Sequence, residues 1–268
     1  MPRLLHLSDP HFGTERTPAV DAVVAVAHAL APDLVVLSGD LTQRATRAQF
    51  AAAAAFAARL APLPLRVVPG NHDLPLFALV RRLWRPRARF AATFGSAAAA
   101  PWSGGGVALR CFDSTSRWRH KNGVLDPALI GPAFAAAAPG DLRVAVFHHP
   151  LDCRLAKDEA NLVRPAAALA AALAAARVDL VLGGHIHDPL VAAGSVRYAG
   201  LARAPAIVLA GTCVSRRTRS GMPNSFNLIA LDAARAAIEV ERWELRGAGF
   251  APAATQRLCL GARGWTPL

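Results

Sequence analysis

Several of the nine histidines in this 268-residue sequence follow short apolar segments, in the company of aspartate and asparagine. Five apolar segments end in this way, in Asp9-Pro-His11, Gly39-Asp40, Gly70-Asn71-His72-Asp73, His148-His149-Pro150 and Gly184-His185-Ile186-His187. A single aspartate after a strand ordinarily forms a turn, and we interpret Asp113 in that way. Turn formation does not explain five endings that share the same chemistry.

These side chains form a ligand set for metal ions. Carboxylates, an amide oxygen and imidazole nitrogens together suit divalent ions such as Mn²⁺, Fe²⁺ or Zn²⁺. The ligands are too numerous for one ion and fit two ions if one carboxylate bridges them. Paired metals about 3.5–4 Å apart hold the attacking and leaving oxygens of a displacement at phosphorus. Because residues i and i+2 of an extended stretch point the same way, His185 and His187 can each reach one of two adjacent ions.

Strands and helices alternate along the chain in a way that would bring these endings together. Apolar segments predict strands at 3–8, 33–38, 65–69, 107–112, 143–147 and 178–182, and a β-rich tail with strands at 206–210, 225–231 and 238–243. Periodic or alanine-rich segments predict helices at 17–31, 46–60, 127–138 and 165–177. This alternation predicts a layered α/β fold, in which ligands collect beyond the carboxyl ends of the strands.

Length and patterning predict one main domain. Residues 1–246 are expected to form it, with the poorly patterned segment 79–106 as a candidate small cap insertion. Residues 247–268 form a C-terminal extension whose role the sequence does not indicate. The sequence also leaves open whether the chain forms a homodimer. No G-x-S-x-G elbow surrounds any serine, and the SGGG stretch at 103–106 lacks a GK[ST] ending. These absences argue against a serine hydrolase and a P-loop enzyme.

Composition and charge limit the cellular location and the kinds of binding partner that we expect. No apolar run reaches the roughly 20 residues that cross a bilayer. His6 and Asp9 come too early for a signal peptide, so we expect a cytoplasmic protein with no membrane partner. The four cysteines form no CxxC pair and predict neither a zinc ribbon nor disulfides. The net charge of +12 favours an anionic small molecule; nucleic acid is not expected, because the arginines lie among alanines rather than stacking aromatics.

The chain resembles the calcineurin-like metallophosphoesterase superfamily in five ordered motifs: Asp9-x-His11, Gly39-Asp40, Gly70-Asn71-His72-Asp73, His148-x-Pro150 and Gly184-His185-x-His187. These motifs span about 180 residues, two thirds of the chain. The resemblance implies the metallophosphoesterase fold, a four-layer α/β-β/α sandwich of two mixed sheets flanked by helices. It also implies a centre of two divalent metal ions.

The ligands that the resemblance implies fall into two sets that share a bridge. The first metal would bind Asp9, His11 and His187, the second Asn71, His148 and His185, and both would bind Asp40. His149 would not be a ligand, because the family motif is His-x-Pro. The metals are expected to be manganese, Fe²⁺ or Fe³⁺, or zinc.

The same resemblance implies hydrolysis by a metal-bound hydroxide that attacks phosphorus. His72 would stabilise charge on the phosphate or protonate the leaving oxygen, and Asp73 would orient the imidazole of His72. If the fold holds, two further segments should lie at the rim of the site. In these segments Asn161 would contact a base or ribose, and Arg216 or Arg217 would pair with a phosphate.

Sequence differences from several subgroups of the superfamily narrow the range of reactions that we expect. Gln43 stands where purple acid phosphatases carry a tyrosine, and Asn71-His72-Asp73 differs from the Asn-His-Glu of protein Ser/Thr phosphatases. Lipid A pathway UDP-diacylglucosamine pyrophosphatases carry an arginine where His72 stands. The stretches LSGDLT, PGNHD, FHHPL and GGHIH are similar to bacterial class III cyclic nucleotide phosphodiesterases, so we expect hydrolysis of a cyclic nucleotide or related small phosphodiester. A phosphomonoesterase or pyrophosphatase on the same metal centre is the alternative, and a nuclease ranks below it.

Overall fold

The computed structural model describes residues 1–219, 221–234, 236–261 and 264–268. Its strands are β1 (Arg3–Leu7), β2 (Leu34–Leu37), β3 (Leu65–Val67), β4 (Trp102–Gly104), β5 (Val107–Cys111), β6 (Leu142–Val146), β7 (Leu180–Gly183), β8 (Leu190–Ala193), β9 (Ala206–Leu209), β10 (Ser225–Asp232), β11 (Ala237–Arg246), β12 (Gly249–Gly261) and β13 (Gly264–Pro267). The α-helices are α1 (Thr17–Leu30), α2 (Arg47–Arg59), α3 (Leu79–Trp84), α4 (Ala88–Phe94), α5 (Ile130–Phe134), α6 (Ala166–Ala175) and α7 (Gly194–Arg197). Short 3₁₀ helices span Asn71–Asp73, Ala97–Ala99, Pro127–Leu129 and Ala156–Asn161. None of the helices within the described ranges is long and apolar enough to span a membrane.

The strands form two mixed sheets. In the first sheet the order is β13-β12-β11-β10-β1-β2-β3, with β1, β2 and β3 parallel and β10 to β13 antiparallel. In the second sheet the order is β4-β5-β6-β7-β9-β8, with antiparallel strands only at the two edges. The parallel central strands follow from the alternation of strands and helices, because each parallel connection needs a long crossover.

Helices on both outer faces complete four layers. α1 and α2 pack on the first sheet, where Leu5 and Leu7 of β1 lie in the same core cluster. α6 covers the second sheet through Leu169 and Leu173. The inner faces of the two sheets share a third core, which includes Leu4 of β1. Leu4 and Leu5 face opposite sides because side chains alternate along a strand. The predicted four-layer α/β-β/α sandwich is confirmed.

The C-terminal extension belongs to the first sheet. β12 pairs with β11, and β13 pairs with β12. Leu258 and Trp265 are buried between the two sheets. The sequence did not indicate a role for residues 247–268. In the structure they extend the first sheet beyond β11, which ends at residue 246, by two further strands. Residues 262 and 263 of this extension, and residues 220 and 235 of the expected main domain, lie outside the described residues.

The candidate cap, residues 79–106, divides between core and surface. Phe90 of α4 is buried in the core that covers the first sheet, and β4 pairs with β5 at the edge of the second. In contrast, α3 exposes Leu79, Val80 and Trp84. Only the beginning of the segment therefore stands out from the packed layers.

Candidate metal centre

The predicted ligands lie where the carboxyl ends of parallel strands from both sheets meet. Asp9 and His11 follow β1, Asp40 follows β2, Asn71 follows β3, His148 follows β6, and His185 and His187 follow β7. The Cys213 amide, after β9 of the second sheet, donates to the Ser8 carbonyl, after β1 of the first, at 3.0 Å. This bond joins the two sheets beside the site.

The first group of ligand atoms contains Asp9, His11 and His187. Asp9 Oδ1 lies 3.2 Å from His187 Nε2 and 3.7 Å from His11 Nε2. The two Nε2 atoms are 3.0 Å apart. The ligand atoms of all three residues lie within 4.8 Å of one another, a spacing that one metal ion could join.

The second group contains Asp40, His148 and His185, again with ligand atoms within 4.8 Å of one another. His148 Nε2 lies 3.4 Å from Asp40 Oδ2. Asn71 lines the cavity above this group, and its Oδ1 is buried with no hydrogen-bond partner in the described part of the chain. The amide oxygen is thus free to act as the further ligand expected there.

Asp40 lies between the two groups. Its Oδ2 is 3.7 Å from His11 Nε2 and 3.4 Å from His148 Nε2. Its Oδ1 accepts a hydrogen bond from the His72 amide at 2.8 Å. One oxygen is therefore fixed by the backbone, and the other has the position that a bridging carboxylate requires.

The pairing and protonation of these groups suit divalent ions. Among the described residues, Asp9 Oδ1, His148 Nε2 and His185 Nδ1 are buried without hydrogen-bond partners. Burial lowers the pKa of His11 and of His185 to about 3, so both are neutral imidazoles with a free lone pair. Burial opposes the charge on Asp40, but the neighbouring His148 holds its pKa well below the usual range. Buried anions and unpaired lone pairs are costly unless a cation satisfies them, so the residues present fit a metal centre.

Backbone carbonyls orient the ligand imidazoles. His148 Nδ1 lies 2.8 Å from the Ser38 carbonyl oxygen, and His187 Nδ1 lies 2.5 Å from the Arg217 carbonyl oxygen. Because a carbonyl only accepts, Nδ1 of each ring donates, and Nε2 is the nitrogen that the neutral ring would offer to a metal ion. Such hydrogen bonds set the tautomer and the direction of metal-binding imidazoles.

Two glycines leave room for the carboxylates. A Cβ atom at Gly70 would lie 2.2 Å from Asp40 Oδ1, and one at Gly184 would lie 2.2 Å from Asp9 Oδ2. Gly70 has a φ of −107°, which other residues also adopt, so the requirement at this position is space. The ligand motifs therefore contain these two glycines because a side chain at either position would collide with a ligand carboxylate.

His72 is oriented by a group that the sequence did not reveal. Its Nδ1 lies 2.9 Å from the Gln43 carbonyl oxygen. A ring nitrogen of His72 lies within 4.8 Å of the ligand atoms of His11 and Asp40. Its Nε2 is also 3.3 Å from Arg217 Nη1. The structure therefore places this imidazole at the mouth of the centre, as expected of a residue that contacts the phosphate.

Asp73 makes different contacts from those predicted. Its carboxylate accepts hydrogen bonds from the amides of Leu41 (3.1 Å), Thr42 (2.8 Å) and Gly70 (2.9 Å) and from the Thr42 hydroxyl (2.9 Å). The prediction that Asp73 orients the His72 ring is corrected, because both carboxylate oxygens face these donors. Burial raises the pKa of Asp73 to about 7, although three amide donors favour its ionised form. Asp73 holds the turn after β3 against the loop after β2.

A cavity of about 350 Å³ opens over the centre. Asn161 and Arg217, two of the predicted substrate-binding residues, line it beside His72. Arg216 does not line it; its amide donates to the Thr14 carbonyl, and its side chain is exposed.

His149 lies behind the second group of ligands. Its Nδ1 is 2.8 Å from Ser114 Oγ, and its ring centroid is 4.7 Å from that of His185. His149 belongs to none of the three groups of metal-ligating side chains found in the described ranges. This position agrees with the expectation that it is not a ligand.

Several cavity residues were not predicted as site residues. Arg44, His120, Lys121 and Asp158 all line the cavity. His120 and Lys121 belong to the basic RWRHK run, and a run of charges carries no sequence signal of what it faces. Only the fold of the loop after β5 brings them to the centre.

Comparison with known families agrees with this geometry. The family model described as Calcineurin-like phosphoesterase matches residues 2–189, which is well over half of the chain. No curated protein sequence matches the chain.

Solved structures share the fold at low sequence identity. The purple acid phosphatase PPD1 from yellow lupin (Lupinus luteus) seeds aligns with a TM-score of 0.63 and 12% identity over 95% of this chain and 53% of its own. The chain thus spans about half the length of the lupin protein. A dimetal phosphatase from Danio rerio aligns with a TM-score of 0.62 and 13% identity over 94% of this chain and 98% of its own. At these identities the likeness shows the fold alone.

Proposed function

This chain belongs to the calcineurin-like phosphoesterase family, and we propose that it is a cytoplasmic enzyme that hydrolyses a cyclic nucleotide or a related small phosphodiester. The observation that carries the proposal is the position of Asp40 Oδ2, 3.7 Å from His11 Nε2 and 3.4 Å from His148 Nε2. One carboxylate that serves both ligand groups fits two ions better than one. The similarity of the motif stretches to class III cyclic nucleotide phosphodiesterases supports a diester as the substrate.

Two divalent ions would supply Lewis acidity and an activated water for attack on phosphorus. Manganese, iron and zinc all accept this mixture of carboxylate, amide and imidazole ligands. Asp9, His11 and His187 would hold one ion, Asn71, His148 and His185 the other, and Asp40 both.

His72 would give a proton to the leaving oxygen. The Gln43 carbonyl fixes Nδ1 as a donor, so Nε2, which in this structure accepts from Arg217 Nη1 at 3.3 Å, is the atom that would carry the second proton of an imidazolium. Transfer of that proton avoids expulsion of an unprotonated alkoxide, and the benefit grows with the basicity of the leaving group. Most diesters of biological alcohols have such poor leaving groups.

The lining of the cavity fits an anionic substrate with a polar substituent. Arg44, Lys121 and Arg217 supply positive charge for a phosphate, and guanidinium groups match its oxygens in geometry. Asn161 offers an amide that can pair with a base or a ribose. These four residues would orient a diester over the ligand groups.

The test is the rate of hydrolysis of bis(p-nitrophenyl) phosphate against that of p-nitrophenyl phosphate by Mn²⁺-loaded protein, with a chelated sample as control. A metal-dependent preference for the diester is expected. A preference for the monoester would make this chain a phosphomonoesterase on the same centre and refute the diester proposal. Arg217→Ala should lower kcat/KM for the diester about tenfold or more. Arg216→Ala is the matched control outside the cavity and should not.

A further inference from the structure

One face of the protein carries a cluster of exposed apolar side chains. Six of the twelve large hydrophobic residues that are exposed in the described ranges lie there: Phe77, Leu79, Val80, Leu83, Trp84 and Trp118. Phe77, Val80, Trp84 and Trp118 are between 76% and 80% exposed. Exposed apolar side chains grouped among polar ones are typical of protein and membrane interaction sites. These six residues are called the docking face.

A buried arginine joins the two chain segments of the docking face. Arg82 of α3 donates to the carbonyl oxygens of Pro75 (3.1 Å), Ser116 (3.1 Å), Arg117 (2.8 Å) and Arg119 (2.7 Å). The loop that carries Trp118 is therefore held against α3. Trp118, which lies between the bonded Arg117 and Arg119 carbonyls, is thereby kept near the exposed side chains of α3.

The surroundings of the docking face are strongly basic. Segments 74–94 and 114–125 contain no aspartate or glutamate. They contribute five exposed cationic side chains: Arg81, Arg85, Arg117, Arg119 and Lys121. None of these five forms an ion pair with a carboxylate of the described residues. The face thus combines unpaired positive charge with exposed apolar area.

We propose that the docking face binds the surface of an anionic lipid bilayer. Tryptophan favours the boundary between water and lipid, and Leu79 and Val80 can enter the edge of the acyl region. Arginines beside them are attracted to anionic headgroups. A second copy of this chain would bring two like-charged faces together. A nucleic acid would stack on the tryptophans but leave Leu79 and Val80 without a partner.

This proposal revises the expectation of no membrane partner. That expectation rested on the absence of an apolar run long enough to span a bilayer, and docking at a surface needs no such run. The proposal also does not depend on which phosphoester is cleaved. It concerns a face formed by α3 and the loop after β5, outside the ligand groups.

Docking would bring the cavity to the lipid surface. The Arg44 guanidinium, which lines the cavity, lies 5.8 Å from the centre of the Phe77 ring. His120 and Lys121, which also line the cavity, follow Trp118 closely in the chain. The docking face therefore continues into the rim of the cavity.

Co-sedimentation with lipid vesicles tests the proposal. The protein is expected to bind vesicles of phosphatidylcholine mixed with phosphatidylglycerol, and to bind phosphatidylcholine vesicles at least about tenfold less. Trp84→Ser should lower binding to the anionic vesicles by about tenfold or more, and Arg85→Gln by about fivefold. Val196→Ser and Arg246→Gln alter exposed residues outside the docking face and are the matched controls, with no change expected.

Absence of binding to the anionic vesicles would overturn the proposal, as would binding that Trp84→Ser and Arg85→Gln leave unchanged. Trp84-dependent binding of single-stranded DNA without vesicle binding would assign the face to nucleic acid. Trp84-dependent dimerisation without vesicle binding would assign it to a second copy. The circular dichroism spectrum and thermal unfolding of Trp84→Ser should match those of the parent protein, which shows that a loss of vesicle binding is not a loss of fold.

Discussion

Asp73→Asn should destabilise the protein, although the two side chains have nearly the same shape. Oδ1 of Asp73 accepts from the Thr42 amide (2.8 Å) and hydroxyl (2.9 Å), and Oδ2 accepts from the Leu41 amide (3.1 Å) and the Gly70 amide (2.9 Å). An asparagine offers one acceptor oxygen and one NH₂ donor. Whichever way its amide is turned, the NH₂ group faces at least one buried N–H donor.

The expected loss follows from the less costly of the two orientations. With the NH₂ group towards Thr42, the threonine hydroxyl can donate instead to the His72 carbonyl, which lies 3.2 Å away, and only the Thr42 amide loses its acceptor. An unsatisfied buried donor costs about 1–3 kcal/mol. For a chain of this size each 1 kcal/mol lowers Tm by roughly 2–4 °C, so Tm should fall by roughly 2–12 °C.

Urea unfolding of the metal-chelated protein, followed by circular dichroism, measures this loss without a contribution from bound ions, at a pH above the Asp73 pKa of about 7 so that the parent carboxylate is ionised. Asp126→Asn is the matched control, because among the described residues its exposed carboxylate accepts from the Ala128 amide alone, at 3.0 Å, and an amide oxygen can do the same. Its unfolding free energy should change by about 0.5 kcal/mol or less. If Asp73→Asn kept the stability of the parent protein and lowered kcat alone, Asp73 would be orienting His72 after all.

Three further predictions, each tested by substitution, concern the centre. Asp40→Ala should release both ions, because both ligand groups lose their shared carboxylate, whereas His187→Ala should release one. Metal analysis after gel filtration distinguishes these two outcomes. Full metal occupancy in Asp40→Ala would refute the bridging role. His72→Ala should keep both ions and lose on the order of 10²–10⁴ in kcat, most of all on diesters with poor leaving groups. An unchanged rate on an unactivated diester would remove His72 from catalysis. Gly70→Ala should impair metal binding, since the new Cβ would lie 2.2 Å from Asp40 Oδ1. Gly131→Ala, which adds a Cβ in open space, is the control. Equal metal content in the two variants would mean that the protein accommodates the methyl group at Gly70.

The fold could be predicted because its central elements carry local signals. The apolar run predicted as a strand at 33–38 forms Leu34–Leu37, and the periodic segment at 17–31 forms a helix at Thr17–Leu30. β12, in contrast, was missed. Its sequence GFAPAATQRLCLG contains a proline and small residues, and only Leu258 in it is fully buried. Pairing with β11 and β13 forms this strand, and pairing of that kind leaves no apolar pattern in the sequence.

The contacts around His72 show why the rest of the site could not be predicted. Asp73 is its neighbour in sequence, but both lie in the 3₁₀ turn Asn71–Asp73, where successive side chains point in different directions. The ring is oriented instead by the main-chain oxygen of Gln43. Any residue type supplies a carbonyl oxygen, so no sequence pattern can identify this partner.

The ligands themselves could be predicted because aspartate and histidine both bind metal ions and tolerate a left-handed backbone conformation. Five of them have a positive φ, between 45° and 76°: Asp9, His11, Asp40, His185 and His187. This left-handed conformation costs roughly 1–2 kcal/mol for most residues, but aspartate and histidine adopt it several-fold more often than others. A left-handed residue shortly after the end of a strand turns the chain sharply, and so lets nearby side chains point towards the same place. Residues that bind metals and also tolerate this conformation are few, which is why residue type and position after a strand pointed to a metal centre, whereas the division of the ligands between two ions came from the resemblance to the family.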